Sequence, residues 1–228
     1  VLHDAGLDIR GSDMAESSNT LTLREHGIPI HIGHSADNVT DDISFVIRTA
    51  AVHDDNPEVH EAHRRGIPVF ERTQAWGALM RGYQNALCIS GTHGKTTTTS
   101  MCTHIMMAAE KDPTVMIGGT LPLLKACHRV GKGNTIIMES CEYYNSFLAL
   151  NPTIAVVLNI EADHLDFFKD LEDIKHSFRC FAERVPAETG TVIANYDDAN
   201  TMDALRGIAR KVITFGLNAK ADVYAQNI

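Results

Sequence analysis

The sequence predicts an α/β protein made of two successive layered units. Short apolar runs of strand length alternate with helical patterns along the 228 residues, and this alternation favours βαβ units with a parallel sheet. Residues 91–99 read Gly-Thr-His-Gly-Lys-Thr-Thr-Thr-Thr, after an apolar stretch and before a helical pattern. Strand, glycine loop, lysine and helix in this order are typical of a phosphate-binding loop.

The first part of the chain is expected to contain short strands separated by helices. Residues 24–29 and 64–68 share a pattern in which a helix ends at a glycine and a new strand follows. Gly11, Ser12 and Asp13 are expected to form a turn, because small polar residues favour turns. The predicted strands are 7–10, 28–32, 43–49 and 67–70, and the predicted helices are 18–26, 57–65 and 71–82.

A second series of strands begins near residue 86, so a boundary is expected near residues 82–85. No strand precedes the helix end predicted over residues 1–6. We therefore expect an incomplete Rossmann-like domain over residues 1–83 and a P-loop α/β domain with a mostly parallel sheet over residues 84–228. The predicted strands of the second series are 86–89, 114–117, 135–138, 154–159, 191–194, 212–215 and 221–228, and its predicted helices are 98–109, 174–184 and 199–210.

The composition indicates which partners the protein is expected to lack and in which compartment it is expected to lie. The formal net charge is −9, so a broad basic surface for nucleic acid is not expected. The apolar runs are of strand length and no signal peptide is recognised, so no membrane partner is expected. The five cysteines lack CxxC spacing and three of them lie in apolar segments, which predicts reduced, buried thiols and a cytoplasmic protein.

The glycine loop predicts how a phosphate would be bound. Its glycines let backbone N–H groups turn toward an anion, Lys95 would reach the β- and γ-phosphates, and the Thr96 hydroxyl would bind Mg²⁺. The pattern GxxxxGK[ST] would need a glycine at Ile89, so Gly91 instead opens a shorter GxxGKT loop. The alternative is a threonine-rich turn that contains Gly-Lys-Thr by chance.

Two polar groups follow other predicted strands. Glu139 comes directly after the strand at 135–138, and His164 follows the strand at 154–159. Ligands of open parallel sheets bind at the carboxyl ends of the strands, so both are expected at the same edge as the loop. A carboxylate suits Mg²⁺, whereas His164 could instead hydrogen-bond a phosphate oxygen. The alternatives are a polar strand end for Glu139 and a helix cap for His164.

Further polar residues allow both a functional and a structural interpretation. Glu142 either takes part in metal binding or is merely an exposed side chain. Asp163 and Asp166 are expected at the start of a helix, where acidic side chains are favoured. The run Asn195–Asp198 either contacts a nucleotide or forms an N-cap turn.

Together these segments resemble the Mur ligases, the ATP-dependent amide ligases of peptidoglycan synthesis. The resemblance covers nearly the whole chain. The segments that carry it are 11–13, 54–58, 91–98, 139–143, 146–148 and 159–166. It implies three domains: a UDP-sugar domain, a central ATPase, and a C-terminal domain that helps to bind ATP and the amino acid. It also implies an enzyme with ATP and Mg²⁺ as cofactors, which joins L-alanine to the lactyl carboxylate of UDP-N-acetylmuramate through an acyl phosphate.

The resemblance also implies roles for individual residues. Lys95, Glu139 and His164 are implied as catalytic, with Thr96 and Glu139 on one Mg²⁺ and His164 on a second. The implied nucleotide-binding residues are Gly91, Thr92, His93, Gly94, Lys95, Thr96, Thr97, Asn195 and Asp198. The implied substrate-binding residues are Gly11, Ser12, Asp13, Thr49 and Glu142.

The sequence departs from the family pattern in several places. The first strand with its glycine-rich loop and the C-terminal domain are not found, so the chain alone is expected to be inactive. Residues 49–52 read Thr-Ala-Ala-Val where the family commonly has Ser-Ser-Ala-Ile. Ser177 or Phe178 stands near the place of a lysine that sister ligases carry as a carbamate.

Two other functions remain open from the sequence. One is a recycling ligase that adds a tripeptide to the same sugar, although the motif at residues 160–164 disfavours it. The other is a non-catalytic module that binds a nucleotide or a muropeptide.

Overall fold

The computed structural model describes residues 1–227 and divides the chain into two compact units, Val1–Ala75 and a second one that begins at Trp76. The predicted α/β class is confirmed, with a mostly parallel sheet in the second unit. Among the described residues, no helix is both long enough and apolar enough to cross a membrane. The domain limits 1–83 and 84–228 stay a prediction of the sequence.

The first unit contains two parallel strand pairs with helices between them. Its strands are β1 (Gly11–Asp13), β2 (Ile30–Ile32), β3 (Val46–Arg48) and β4 (Val69–Glu71), and its helices are α1 (Ser18–Glu25), α2 (Pro57–Arg64) and a 3₁₀ turn (Ala36–Asn38). Strand β1 pairs with β2, and β3 pairs with β4.

The predicted turn at residues 11–13 and the predicted strand at 7–10 are both wrong. Gly11 pairs with Ile30 in the β1–β2 register, and its N–H donates to Pro29 O over 2.9 Å. The local preference of Gly, Ser and Asp for turns is overridden by hydrogen bonds to a strand far along the chain. The irregular backbone lies one step earlier, over residues 7–10.

The ends of α1 and α2 agree with their sequence signals. Ser17 caps α1, and Asn56 caps α2 through its side-chain oxygen, with proline in the first turn. Gly27 and Gly66 follow the two helices with φ of +79° and +71°. Because a left-handed φ favours glycine, these two residues end the helices as predicted.

The second unit is built on one eight-stranded sheet in the order β12-β11-β10-β9-β5-β8-β6-β7. Only β7 runs antiparallel to its neighbour, β6. The strands are β5 (Asn85–Ser90), β6 (Thr114–Leu121), β7 (Ala126–Arg129), β8 (Thr135–Glu139), β9 (Ile154–Val157), β10 (Thr191–Asn195), β11 (Lys211–Gly216) and β12 (Val223–Tyr224). The helices are α4 (Lys95–Ala108), α5 (Leu171–Ala182), α6 (Ala199–Ala204) and a 3₁₀ segment (Tyr143–Ala149), while α3 (Arg72–Met80) begins in the first unit and ends in the second.

Several element limits differ from those predicted. Helix α4 begins three residues early because Gly94, at φ +83°, allows the chain to turn directly into it. Helix α5 begins at Leu171 because Asp170 caps it. Strand β7 was not predicted, and the strand predicted over 221–228 is reduced to β12, with residue 228 outside the described range.

The sheet of the second unit is buried on both faces. Alternate residues of β5 and β8 belong to different apolar clusters: Cys88 and Met138 to the one that includes α5, Ile89 and Ile137 to the one beside α4. Such alternation with both faces apolar is characteristic of a parallel sheet covered by helices on each side. Burial raises the pKa of the Cys88 thiol to about 12, as expected for a buried cysteine.

The other cysteines do not all follow the expectation. Cys141 is exposed, and the remaining three are only partly buried. The prediction of buried thiols is therefore right for Cys88 and wrong for Cys141, whose position follows from the polar turn after β8.

Phe181 tests the contribution of the larger cluster. Its side chain is fully buried and stacks on Phe147, with ring centroids 4.6 Å apart. We expect Phe181→Ala to lower the free energy of unfolding by about 3–5 kcal/mol, because the truncation leaves a cavity. Urea denaturation followed by circular dichroism measures this. Met101→Ala is the control, since Met101 is 59% exposed. Equal losses in both variants would contradict the assignment.

Candidate functional site

The loop between β5 and α4 requires both of its glycines. Gly91 has φ +147°, and a Cβ there would lie 2.9 Å from the Cβ of Leu158. Gly94 has φ +83° and stands at the N-cap of α4 without a side-chain cap. The first N–H groups of a helix have no partner within it and carry its partial positive charge. The amides at the start of α4 therefore form a cradle for an anion.

Asn159 fixes this loop to the chain that follows β9. Its side chain accepts from His93 N over 2.8 Å and donates to His93 O over 3.1 Å. Its backbone O accepts from Thr92 N over 3.0 Å, and Glu161 N donates to Thr92 Oγ1 over 2.9 Å. The amides of Thr92 and His93 are thus used in holding the loop. The donors that remain for an anion come from Gly94 onward.

Lys95 lies at the centre of the loop. Its ammonium donates to Gly91 O over 2.6 Å and to Thr92 O over 3.1 Å. It also lies 3.0 Å from Oε2 of Glu142, whose side chain is only 3% exposed. A buried carboxylate costs free energy unless it is paired and hydrogen-bonded, so Lys95 and Glu142 stabilise each other's charges.

Glu142 also faces a second pair of polar side chains. His164 Nε2 lies 3.8 Å from Glu142 Oε1 and 3.9 Å from Asp163 Oδ2. One ligand atom from each of these three residues falls within 4.8 Å of the others. Two carboxylates and an imidazole form a donor set for a divalent cation.

The sequence reasoning misassigned the acidic residues of this segment. Asp163 and Asp166 do not begin a helix, because α5 starts later and is capped by Asp170. The segment instead turns sharply, and His164 has φ +51°. This turn brings Asp163 next to Glu142 and His164.

Tyr143 is a site residue that sequence reasoning missed. Its ring stacks on the His164 imidazole, with centroids 4.3 Å apart and planes inclined by 22°. Its hydroxyl donates to Asp166 Oδ2, and this hydrogen bond raises the pKa of Tyr143. The Tyr143 ring, which the hydrogen bond to Asp166 holds in place, therefore helps to fix the position of the His164 imidazole. The residue adjoins Glu142 in sequence, but no local pattern indicates the stack.

Glu139 forms a separate oxygen cluster at the end of β8. Thr96 Oγ1 donates to Glu139 Oε1 over 3.0 Å, and Gly118 N donates to Oε2 over 2.7 Å. The prediction that Thr96 and Glu139 meet is confirmed by this contact. Gly118 was missed, although the Gly118-Gly119 pair within β6 is a signal of close approach.

Asn195 and Asp198 join the chain beyond β10 to the chain beyond β9. Asn195 Nδ2 donates to Leu158 O over 3.0 Å. Asp198 Oδ1 caps α6 by accepting from Thr201 N over 2.7 Å, and it accepts from Ile160 N over 3.2 Å. The N-cap interpretation is confirmed for Asp198, and nucleotide contact by either residue stays a prediction.

The other predicted nucleotide-binding residues lie in or beside the loop. Thr97 is exposed in the first turn of α4. The His93 ring is exposed, and its Nε2 lies 3.6 Å from Glu161 Oε2. Their roles stay predictions.

The first unit contains a cavity of about 630 Å³. Of the predicted substrate-binding residues, Gly11, Ser12 and Thr49 line it, together with Arg10 and Arg48. Asp13 is exposed and is not among the lining residues. Glu142 belongs to the second unit, beside Lys95.

Comparison with known families identifies the family of both parts of the chain. Residues 89–228 match the Mur ligase middle domain. Residues 1–84 match the domain described as "Mur ligase family, catalytic domain". The chain belongs to the Mur ligase family. This family is ATP-dependent and generally uses Mg²⁺.

Curated relatives match along the whole chain. A UDP-N-acetylmuramate–L-alanine ligase from Agathobacter rectalis is 45% identical over 228 residues, which is 100% of this chain and 50% of the relative. The ligase of the same name from Acetivibrio thermocellus is 46% identical over 220 residues, 96% of this chain and 46% of the relative. The chain spans about half the length of the curated relatives that it matches.

Solved Mur ligases share the fold. The UDP-N-acetylmuramate–alanine ligase of Thermotoga maritima is 31% identical, with a TM-score of 0.79 over 96% of this chain and 49% of that one. A UDP-N-acetylmuramate:L-alanyl-γ-D-glutamyl-meso-diaminopimelate ligase from Neisseria meningitides has a TM-score of 0.82 at 24% identity, over 94% of this chain and 72% of that one. At that identity the second comparison shows the fold alone.

The residues present fit a nucleotide phosphate and Mg²⁺. The loop has no space for a Cβ at Gly91, which is typical of close backbone approach to a phosphate. Hydroxyl and carboxylate oxygens meet at Thr96 and Glu139, and such oxygens are the ligands that Mg²⁺ prefers.

Two adjacent glycines test the placement of Glu139. A Cβ at Gly118 would lie 2.8 Å from Glu139 Oε1, whereas the nearest atom to a Cβ at Gly119 is 3.6 Å away. We expect Gly118→Ala to weaken Mg²⁺-dependent nucleotide binding by about ten- to a hundredfold, the usual effect of disturbing a ligand's support. Gly119→Ala should leave it nearly unchanged. Mg²⁺ titrations with a fluorescent ATP analogue measure both, and equal affinities in the two variants would refute the placement.

Proposed function

We propose that the chain contributes the sugar-binding and ATP-binding parts of an enzyme that joins L-alanine to UDP-N-acetylmuramate in peptidoglycan synthesis. The observation that carries the proposal is the convergence of Lys95, Glu142 and His164 beside a phosphate loop. It occurs in a chain that is 45% identical, along its whole length, to a ligase of that name. Such a reaction belongs in the cytoplasm, where ATP is available.

The chemistry proceeds in two balanced steps. A lactyl carboxylate oxygen of the sugar forms a bond to the γ-phosphorus of ATP, and the bond to ADP breaks. The amine of L-alanine then forms a bond to the acyl carbon, phosphate leaves, and the amine loses a proton. Phosphate is needed because a carboxylate alone has a poor leaving group.

Lys95 is the residue that stabilises the transferring phosphoryl group. Its ammonium donates to two loop carbonyls and to the Glu142 carboxylate, and these contacts fix its position in the loop. Phosphoryl transfer depends on such positioned cations far more than on covalent chemistry. Gly94 and Thr97 would provide backbone donors of the same cradle, whereas Gly91, Thr92 and His93 would hold the loop in the shape that fits the phosphates.

Two groups of residues would bind Mg²⁺. Thr96 and Glu139 would bind one ion, and Glu142 and His164, joined by Asp163, would bind a second. When bound, the ions neutralise the negative charge of the phosphates. Asn195 and Asp198 would contact the nucleotide from the end of β10.

The cavity of the first unit would bind the UDP-sugar. Arg10 and Arg48 line it and suit a diphosphate, since guanidinium groups match phosphate geometry. Gly11, Ser12 and Thr49 line the same cavity. Asp13 follows Ser12 at the end of β1.

The proposal is tested by the choice of acceptor. Phosphate release from Mg-ATP and UDP-N-acetylmuramate is measured with L-alanine or with the muropeptide tripeptide, using the protein as its gene encodes it. Release with L-alanine and not with the tripeptide is the expected result. The reverse preference would identify a recycling ligase, and binding of ATP and the sugar without phosphate release would identify a non-catalytic module.

Replacing Lys95 tests the phosphate site directly. We expect Lys95→Ala to lower kcat of the gene product by a factor on the order of 10² or more, because a charge that stabilises the transferring group is lost. Lys111→Ala is the matched control, since Lys111 is exposed in the segment that follows α4. Thermal melting confirms that both variants fold. Near-normal turnover of folded Lys95→Ala would contradict the role.

A further inference from the structure

We infer that Glu58 sets the hydrogen-bond polarity of the first-unit cavity, so that Ser12 and His34 recognise ribose hydroxyl groups of a bound nucleoside diphosphate sugar. Glu58 is a positioning residue in this inference. The inference rests on the proposed function, because it concerns the same ligand. It adds a mechanism of selection that the arginines of the cavity do not provide.

The contacts of Glu58 are short and numerous. Its Oε2 accepts from the Ser12 hydroxyl over 2.6 Å and lies 3.0 Å from His34 Nδ1. Its Oε1 accepts from Asn38 Nδ2 over 2.6 Å. All four residues line the cavity, and the side chains of Glu58 and His34 are each 14% exposed. In such a screened position the hydrogen bonds of a carboxylate are strong.

Three separate segments meet at this carboxylate. Ser12 belongs to β1, His34 follows β2, and Asn38 ends the 3₁₀ turn. Asn38 Nδ2 also donates to Gly33 O over 3.2 Å, at a residue with φ +92°. Glu58 itself is placed by the capped first turn of α2. The wall of the cavity is therefore organised around one side chain.

The carboxylate determines which atoms remain for a ligand. A carboxylate can only accept, so the single hydroxyl proton of Ser12 is given to Glu58 and its oxygen faces other partners as an acceptor. By the same logic the proton of the neutral imidazole is on Nδ1, facing Glu58 and, at 3.3 Å, Ser12 Oγ. Nε2 is then the acceptor nitrogen.

Acceptors select for donors on the ligand. Phosphate oxygens are acceptors, so they are not the partners of Ser12 and His34 in this arrangement. Hydroxyl groups of a ribose can donate, and a site built to accept from them discriminates against an analogue that lacks them. The diphosphate is left to Arg10 and Arg48, which carry donors only.

Binding of UDP and of 2′,3′-dideoxyuridine diphosphate tests the inference. Isothermal titration calorimetry on the full chain should give about tenfold tighter binding of UDP, the equivalent of one good hydrogen bond. Glu58→Gln keeps the shape of the side chain but introduces donors, so the ratio of the two affinities should fall toward one. Mg-ATP binding, which involves the second unit, should not change.

Glu61→Gln is the matched control. Glu61 lies on the same helix, pairs with Arg64 and Arg65, and is not among the residues that line the cavity. This variant should keep the wild-type ratio. If Glu58→Gln does not fold, Ser12→Ala replaces it in the experiment. Ser12→Ala should lower the ratio of the two affinities, whereas Ser12→Thr, which keeps the hydroxyl, should have the wild-type ratio.

The outcomes separate the inference from the proposed function. The inference alone would be overturned if the wild-type protein bound both nucleotides equally. It would also be overturned if Glu58→Gln or Ser12→Ala retained the wild-type ratio of the two affinities. Failure of the wild-type chain to bind any uridine nucleotide would overturn the sugar-binding role and the inference together.

Discussion

Parallel pairing of β5 with β8 and β9 is the constraint on which the phosphate site depends. Ile89 pairs with Glu139, and Ser90 pairs with Val157, so three chain segments leave the sheet at the same edge. Because the strands are parallel, all three deliver their following residues in the same direction. The loop, the Glu139 carboxylate and the turn at His164 then meet without any long connection. A shift of one residue in either pairing would turn each side chain to the opposite face.

Charge balance at the loop follows from this convergence. Glu142 is nearly excluded from water, and Lys95 and His164 approach it from two sides. A carboxylate in that position costs free energy unless cations or donors surround it. The buried carboxylate therefore favours positively charged partners. The same property makes the place suitable for a metal ion, since a cation there gains an anionic ligand that solvent screens only weakly.

The sequence predicts what local order and strand direction control. The glycines at 91 and 94 have the backbone angles that the loop pattern implies, and Glu139 meets Thr96 because both follow parallel strands. It does not predict contacts that depend on packing between distant segments. The stack of Tyr143 on His164 and the pairing of residues 11–13 with β2 are examples. In each case the local preference is weak or opposite, and tertiary contacts decide.

Each candidate site is organised around one carboxylate, Glu142 being buried and Glu58 partly buried, but the consequences are opposite. The Lys95 ammonium lies beside both oxygens of Glu142, and Oε1 also faces His164, so this carboxylate is surrounded by groups that can carry positive charge. Glu58 accepts from the Ser12 hydroxyl and from the Asn38 amide, so its charge fixes the direction of these two hydrogen bonds. The first arrangement favours positively charged ligands at the phosphate loop. The second favours ligands with hydroxyl groups, because the Ser12 hydroxyl gives its only proton to Glu58 and so presents its oxygen to the cavity as an acceptor.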